Sequence, residues 1–65
     1  MDIRKTTKGT LFRLFRETFI ITSDFYYSPR YGIHMVKAHN ITKGIDEQIG
    51  EIAMCGAHAL TQETK

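Results

Sequence analysis

The side chains best suited to chemistry are one cysteine and three histidines: Cys55, His58, His34 and His39. Cys55 and His58 are three residues apart and would share one side of a helix, as zinc ligands or as a thiol with its base. His34 and His39 are five apart, which places them on opposite faces of a strand, so four ligands would not converge. A reactive thiolate also needs electropositive surroundings, whereas the segment around Cys55 is acidic. We therefore expect no metal site, no cofactor and no catalytic residue.

Enzyme motifs are also missing from the 65-residue chain. It has no phosphate-binding glycine loop, no serine elbow and no pair of carboxylates at catalytic spacing. Substrate cavities usually enclose ~300–1,000 Å³, which so short a chain cannot both build and support. We expect a protein that is not an enzyme and has no small-molecule substrate.

Aromatic and basic residues alternate between positions 25 and 37, in the series Phe25, Tyr26, Tyr27, Arg30, Tyr31, His34 and Lys37. Tyr and Arg are favoured at the centres of protein interfaces. The same pairing stacks on unpaired bases and neutralises phosphates, but the net charge is only +2 and no nucleic-acid-binding motif is present. The sequence predicts a surface for a protein partner formed by Tyr26, Tyr27, Arg30, Tyr31, Arg13 and Arg16. Nucleic-acid binding through Tyr26, Tyr27, Arg30, Tyr31 and Lys37 is the alternative.

Charge is divided along the chain. Residues 1–43 carry eight basic and three acidic side chains, whereas residues 44–65 carry four acidic side chains and one basic side chain. This division predicts a basic face and an acidic face. Such faces steer an acidic partner to the surface, or promote head-to-tail contact between copies.

The supply of apolar surface is large for the length of the chain. Hydrophobic residues make up 42% and charged residues 25% of the sequence, which is typical of a folded domain and excludes a disordered chain. A chain of ~60 residues buries only ~60% of its unfolded surface. Seven aromatic side chains therefore exceed what one small core can hide. We expect an interaction module that self-associates, as a homodimer, and binds and modulates a larger protein partner.

The cellular setting is predicted from what the chain lacks. A single cysteine excludes a framework of internal disulfides. No apolar run approaches the ~20 residues that span a bilayer. Residues 1–5 lack the apolar core of a signal peptide. We expect a cytoplasmic protein without membrane contact.

The predicted domain organisation is a polar arm over residues 1–9, a single domain over 10–62 and a polar tail over 63–65. Residues 10–22 are ambiguous: the apolar spacing favours a helix over 10–18, whereas the Thr, Phe and Ile content favours strands. We prefer the strand interpretation and keep the helix as the alternative.

Turn residues occur at Ser28, Pro29 and Gly32, between two runs of strand-forming residues. They predict a β-hairpin with a loop of four or five residues and a second arm over 33–41. In that arm Val36 and Ala38 would face the same side of the sheet.

Residues 44–60 show the periodicity of an amphipathic helix, with an apolar stripe formed by Ile45, Ile49, Ile52 and Leu60. The acidic residues near position 46 suit a helix N-terminus. Small residues at Gly50, Ala53 and Ala57 predict a self-contact between copies. The resulting fold class is α+β, with an antiparallel hairpin or three-stranded sheet packed against one C-terminal helix. A helix–hairpin–helix is the alternative.

Overall fold

The computed structural model describes residues 1–60, whose main element is a six-stranded antiparallel sheet. A 3-10 turn over Ile3–Lys5 precedes the sheet, and a single helical turn, α1, covers Glu51–Met54. The strands are β1 (Leu11–Leu14), β2 (Glu17–Ile21), β3 (Tyr26–Ser28), β4 (Ile33–Asn40), β5 (Ile45–Gly50) and β6 (His58–Ala59).

The longest strand, β4, organises the sheet. Met35 in β4 pairs with Tyr26 of β3 and with Gly50 of β5, so β3 and β5 lie on opposite edges of β4. β2 pairs with β4 on the same edge as β3. The sheet is completed by β1 beside β2 and by β6 beside β1. β2 and β3 therefore behave as one long strand that is interrupted at residues 22–25.

The core lies on one face of the sheet because the strands alternate buried and exposed side chains. Phe12 of β1 is paired with Phe19 of β2, and their rings stack with centroids 5.1 Å apart. Both rings are almost completely buried, which stabilises the fold by about 1.5–3 kcal/mol for each ring. The remaining buried apolar side chains packed in this core are Ile3, Leu14, Ile21, Val36, Ala38, Ile49, Met54 and Ala57.

A polar cluster closes one end of the core around Asn40, which is fully buried. Its Nδ2 donates to Glu17 Oε1 at 2.8 Å and to Glu47 Oε2 at 2.9 Å. Its Oδ1 accepts from the backbone N–H of Lys43 at 3.0 Å. Lys43 Nζ also lies 3.3 Å from Glu17 Oε2. The amide therefore holds the β4–β5 turn and two carboxylates in place.

The predicted α+β fold with a C-terminal helix is wrong, and so is the helix–hairpin–helix alternative. Residues 45–50 form β5, in register with residues 35–40 of β4. The spacing of Ile45 and Ile49 fits one face of a strand as well as one face of a helix, and the edge of β4 offers a hydrogen-bonded ladder. Gly50 and Gly56 each disfavour a helix interior by about 1 kcal/mol, so the helix is reduced to one turn between them.

The acidic side chains assigned to the start of that helix instead bind across the sheet. Asp46 Oδ1 lies 2.8 Å from His39 Nδ1 on the neighbouring strand. Glu47 binds Asn40, as described above. Glu51 accepts a hydrogen bond from the backbone N–H of His34 at 2.8 Å. These cross-strand contacts form only when β5 lies beside β4, and the linear sequence did not indicate them.

Several local predictions are confirmed. Residues 10–22 are strands, and a two-residue loop at Phe15 and Arg16 divides them into β1 and β2. The hairpin around Pro29 is present as the β3–β4 pair with a loop over residues 29–32. Val36 and Ala38 both face the core and are fully buried.

The N-terminal segment predicted as a polar arm contacts the body of the protein. Ile3 and Thr6 are buried, and the Met1 amino group donates to the carbonyl oxygens of Cys55 and Ala57 at 3.3 Å each. The predicted polar tail over 63–65 lies outside the described residues. None of the helical segments in residues 1–60 has the length and apolarity that crossing a membrane requires.

Candidate functional site

The β3–β4 hairpin presents the aromatic and basic residues singled out in the sequence. Its loop is closed by a hydrogen bond of 2.7 Å from the Gly32 N–H to the Ser28 carbonyl oxygen. Gly32 has a φ of +68°, a conformation that suits glycine. The loop exposes Arg30 and Tyr31, and the Arg30 guanidinium carbon lies 5.6 Å from the centre of the Tyr31 ring. This cation–π contact orders the two side chains at the tip of the hairpin.

The two tyrosines of β3 lie on opposite faces of the sheet because neighbouring strand residues alternate. Tyr27 and the nearby Phe25 both pack edge-on against His34, with ring centroids 5.5 and 5.7 Å away. We call these three residues the aromatic cluster. The rings of Phe25 and Tyr27 remain exposed. The predicted tyrosine surface is therefore split between two faces.

Glu51 of α1 fixes the aromatic cluster from the side. Its Oε1 accepts the His34 backbone N–H at 2.8 Å and lies 3.3 Å from His34 Nδ1. The backbone hydrogen bond is the main cause that lowers the pKa of Glu51 below its ordinary value, and the bond to the His34 ring adds to it. Glu51 is thereby held in its ionised form against His34.

Tyr26 lies on the outer face of the sheet, opposite the core. Its hydroxyl donates to Gln48 Oε1 on β5 at 2.7 Å, across the buried side chain of Met35. An open groove of ≈ 780 Å³ follows this face and contains Tyr31 and Lys37. The groove is lined by Thr22, Tyr31, Met35, Lys37, Asp46, Glu47 and Gln48.

The two predicted arginines of the first hairpin lie at a distance from this groove. Arg13 lies in β1, paired with Thr18 and His58, and Arg16 lies in the β1–β2 loop. β1 is separated from β4 by β2, which at ~4.8 Å for each step across a sheet is about 10 Å. The structure therefore gives Arg13 and Arg16 a separate position from Arg30 and Tyr31.

Few of the basic side chains are neutralised by contacts. In the described part of the chain the ion pairs are His34 with Glu51, His39 with Asp46 and Lys43 with Glu17. The four cations of the predicted surfaces, which are Arg13, Arg16, Arg30 and Lys37, take part in none of these pairs. They therefore present a diffuse positive charge to a partner.

The residues predicted for self-contact are used within the chain. A Cβ added at Gly50 would lie 2.7 Å from Ile33 Cδ1, so Ile33 occupies the space beside this glycine. Ala57 is buried in the core, and Ala53 packs against it. Packing inside one molecule thus accounts for these small residues.

The cysteine and histidines do not form a common site. Cys55 is exposed at the end of α1, and His58 lies in β6. His34 and His39 are engaged by Glu51 and Asp46, as described above. Within residues 1–60, no three His, Cys, Asp or Glu side chains lie close enough together to hold a metal ion.

Sequence reasoning missed Phe15, whose side chain is 75% exposed. Phe15 and Arg16 have φ values of +54° and +64°, so both central residues of the β1–β2 turn are in the left-handed region. Turns of this kind normally contain Asn-Gly or Asp-Gly. The sequence carries no such signal here, and the conformation follows only from the pairing of Leu14 with Glu17.

Comparisons of the chain with protein-family models, with curated proteins and with solved structures found no match. The functional assignment therefore depends on the surface geometry.

Proposed function

We propose that the protein is a non-catalytic protein-binding module whose β3–β4 hairpin docks on a larger partner. One observation carries this proposal: within seven residues, Phe25, Tyr27 and Tyr31 are 38%, 56% and 60% exposed. The core therefore does not enclose all seven aromatic side chains. Phe25 and Tyr27 lie on one face of the hairpin, and Tyr31 lies with Arg30 at its tip, beside the groove of the opposite face. The hairpin as a whole therefore has the composition of a binding hot spot.

The energy available from this surface is moderate. About half of the three rings is open to solvent, or roughly 300 Å² if a ring buries ~200 Å² when fully covered. Covering that area contributes about 7.5 kcal/mol at 25 cal/mol/Å². Association itself costs an estimated 4–15 kcal/mol. The rings therefore supply an anchor, and a stable complex needs further contacts around them.

Charge favours a partner with acidic groups near its apolar surface. Arg30 is ordered against Tyr31 and lacks a carboxylate partner among the described residues. Lys37 is exposed in the adjoining groove. An acidic partner would neutralise both cations and would be steered toward the hairpin. Binding here would occlude or modulate that partner without any reaction.

Nucleic-acid binding is the second candidate function, because Arg13 and Lys37 form no ion pair with any carboxylate in residues 1–60. Both lie on the outer face, as does the Tyr31 groove. However, Asp46 and Glu47 line the same groove and would repel a phosphate chain that runs along it. This acidic wall favours a protein partner over nucleic acid.

The test compares a hairpin variant, Tyr27→Ala with Tyr31→Ala, with the control Leu60→Ala, an exposed apolar residue that follows β6. Tagged proteins recover partners from the source cells, and affinity for the recovered protein is then measured by calorimetry. We expect the hairpin variant to bind at least about tenfold more weakly, because two hot-spot rings cost more than ~1 kcal/mol each. The control should retain full affinity.

Two outcomes would reject the proposal. The first is equal affinity of the hairpin variant and the wild-type protein for every recovered partner. The second is binding of oligonucleotides that weakens steeply with salt, which would assign the surface to nucleic acid.

Sedimentation velocity of both variants also tests whether the hairpin supports self-association.

A further inference from the structure

The outer edge of β5 is open. All six residues from Ile45 to Gly50 pair with β4 on one side, and no strand among residues 1–60 pairs with them on the other. Such an edge presents backbone N–H and C=O groups without strand partners. An extended chain is the ligand that satisfies these groups in series.

A groove of ≈ 320 Å³, lined by both apolar and polar side chains, lies between β5 and the β1–β2 hairpin. Its volume is about ten times the ~30 Å³ that one water occupies in the liquid, so it has room for apolar side chains. A strand added to β5 would direct alternate side chains toward this groove. The lining residues are Leu14, Phe15, Glu17, Phe19, Lys43, Glu47, Gln48, Ile49 and Ala53.

The rim of the groove holds an aromatic ring in a strained conformation. Phe15 lines the groove, has a φ of +54° and is 75% exposed. The left-handed conformation costs a residue other than glycine about 1–3 kcal/mol. Because the Phe15 ring is mostly exposed, packing within the chain offsets little of that conformational free energy. A ligand that covers the ring would recover more.

The charges around the groove identify the ligand. Glu17 and Glu47 line the groove, whereas Asp46 is exposed on the other face of β5, 2.8 Å from His39 Nδ1. Lys43 is the one cation among the lining residues, and Glu17 already pairs with it. The excess of carboxylates favours a basic ligand. It disfavours antiparallel pairing of β5 with the same strand of a second copy, which would bring two sets of acidic side chains together.

We propose that the open edge of β5 binds an extended basic segment of a protein partner by strand addition. An apolar side chain of that segment fills the groove under Phe15, and a Lys or Arg lies beside Glu47. This surface is separate from the aromatic hairpin, so each proposal can fail without the other.

The test uses an alternating Lys-Val octapeptide with blocked ends and the full-length protein labelled with ¹⁵N. We expect amide shifts confined to β5 and the groove, and slower hydrogen exchange along residues 45–50. Replacing every Lys of the peptide by Glu should weaken binding at least about tenfold, because like charges then face each other. Replacing alternate Val residues by Pro should abolish binding, since proline has no N–H to donate.

Protein variants locate the contact. Gln48→Lys places a positive charge at the groove, and Phe15→Ala removes the ring, so each should weaken peptide binding about three- to tenfold. The control Leu60→Ala changes an exposed apolar residue after β6 and should bind like wild type. The hairpin variant Tyr27→Ala with Tyr31→Ala should also bind the peptide normally, which distinguishes this proposal from the hairpin function.

Three results would overturn the proposal. One is the absence of β5 amide shifts at millimolar peptide. Another is a set of shifts that maps to β3 or β6 instead. The third is concentration-dependent shifts of β5 in the protein alone, which would identify a second copy as the occupant.

Discussion

Replacement of Asn40 tests how the end of the core is held together. Asn40→Ala removes two donor hydrogen bonds to the carboxylates of Glu17 and Glu47 and one bond from the Lys43 N–H. Hydrogen bonds to charged groups are worth about 1.5–3 kcal/mol each. Partial relaxation toward solvent reduces the sum, and we expect a loss of about 3–4 kcal/mol.

That loss is large for so small a protein. At 0.05–0.15 kcal/mol per residue, a chain of this length has a free energy of unfolding of about 3–10 kcal/mol. The midpoint of thermal unfolding should fall by roughly 12–32 °C, because each kcal/mol lost lowers it by about 4–8 °C. Urea titration followed by far-ultraviolet circular dichroism measures the free energy of unfolding and its slope with urea concentration. A thermal scan with the same signal measures the midpoint temperature. A loss below about 1 kcal/mol would refute the view that this amide organises the turn.

Asn40→Asp tests the same polar cluster through the pH dependence of stability. It keeps the acceptor oxygen but replaces the donating amide by a third carboxyl beside Glu17 and Glu47. Burial and like charge raise the pKa of the introduced carboxyl in the folded state, so the folded protein binds a proton more tightly than the unfolded chain does. Stability of the variant should therefore be lost as pH rises through that raised pKa, and should recover toward pH 4. Parallel pH profiles for the variant and wild type would contradict this reasoning.

Three further variants test other features. Arg16→Gly should raise the free energy of unfolding by about 0.5–1 kcal/mol, because glycine adopts a φ of +64° without strain. Urea titration measures this change, and a lower free energy of unfolding would argue against a strained turn. Gly50→Ala should change the free energy of unfolding by less than about 1 kcal/mol, because its φ of −82° suits alanine and the added Cβ meets only the movable end of the Ile33 side chain. A loss of several kcal/mol would show that Ile33 cannot move, and dissociation of a dimer in sedimentation would support the predicted self-contact. Glu51→Gln should reduce the fall in the free energy of unfolding that the wild-type protein shows as the pH becomes acidic. The lowered pKa of Glu51 means that its contribution is present above 4.5 and is lost as pH falls through the folded pKa, so an unchanged fall would contradict the His34 contact.

The hairpin around Pro29 could be predicted because its signals are local. Pro29 and Gly32 restrict a few consecutive backbone angles, and the residues on each side favour strands. The same is true of the inward direction of Val36 and Ala38, which follows from alternation alone. The exposed rings beside this hairpin were also foreseeable, because apolar supply and chain length are properties of composition.

The C-terminal helix was mispredicted because its apolar spacing fits two structures. Ile45 and Ile49 suit a strand or a helix, and the choice depends on whether another strand lies alongside. Within residues 1–60, β4 provides that strand, and His39 and Asn40 receive the acidic side chains of β5. No property of residues 44–60 by themselves carries this information.

The candidate surfaces were likewise determined partly by local sequence and partly by tertiary structure. Composition and local turn chemistry determined that aromatic and basic groups cluster at one hairpin, because those preferences act over a few neighbouring residues. Only the tertiary structure decided that Tyr26 and Tyr27 face opposite ways and that Phe15 adopts a left-handed conformation at a groove. It also decided that no strand among residues 1–60 covers the outer edge of β5. These features depend on which strands pair and in what register, and pairing energy comes from residues far apart in the chain.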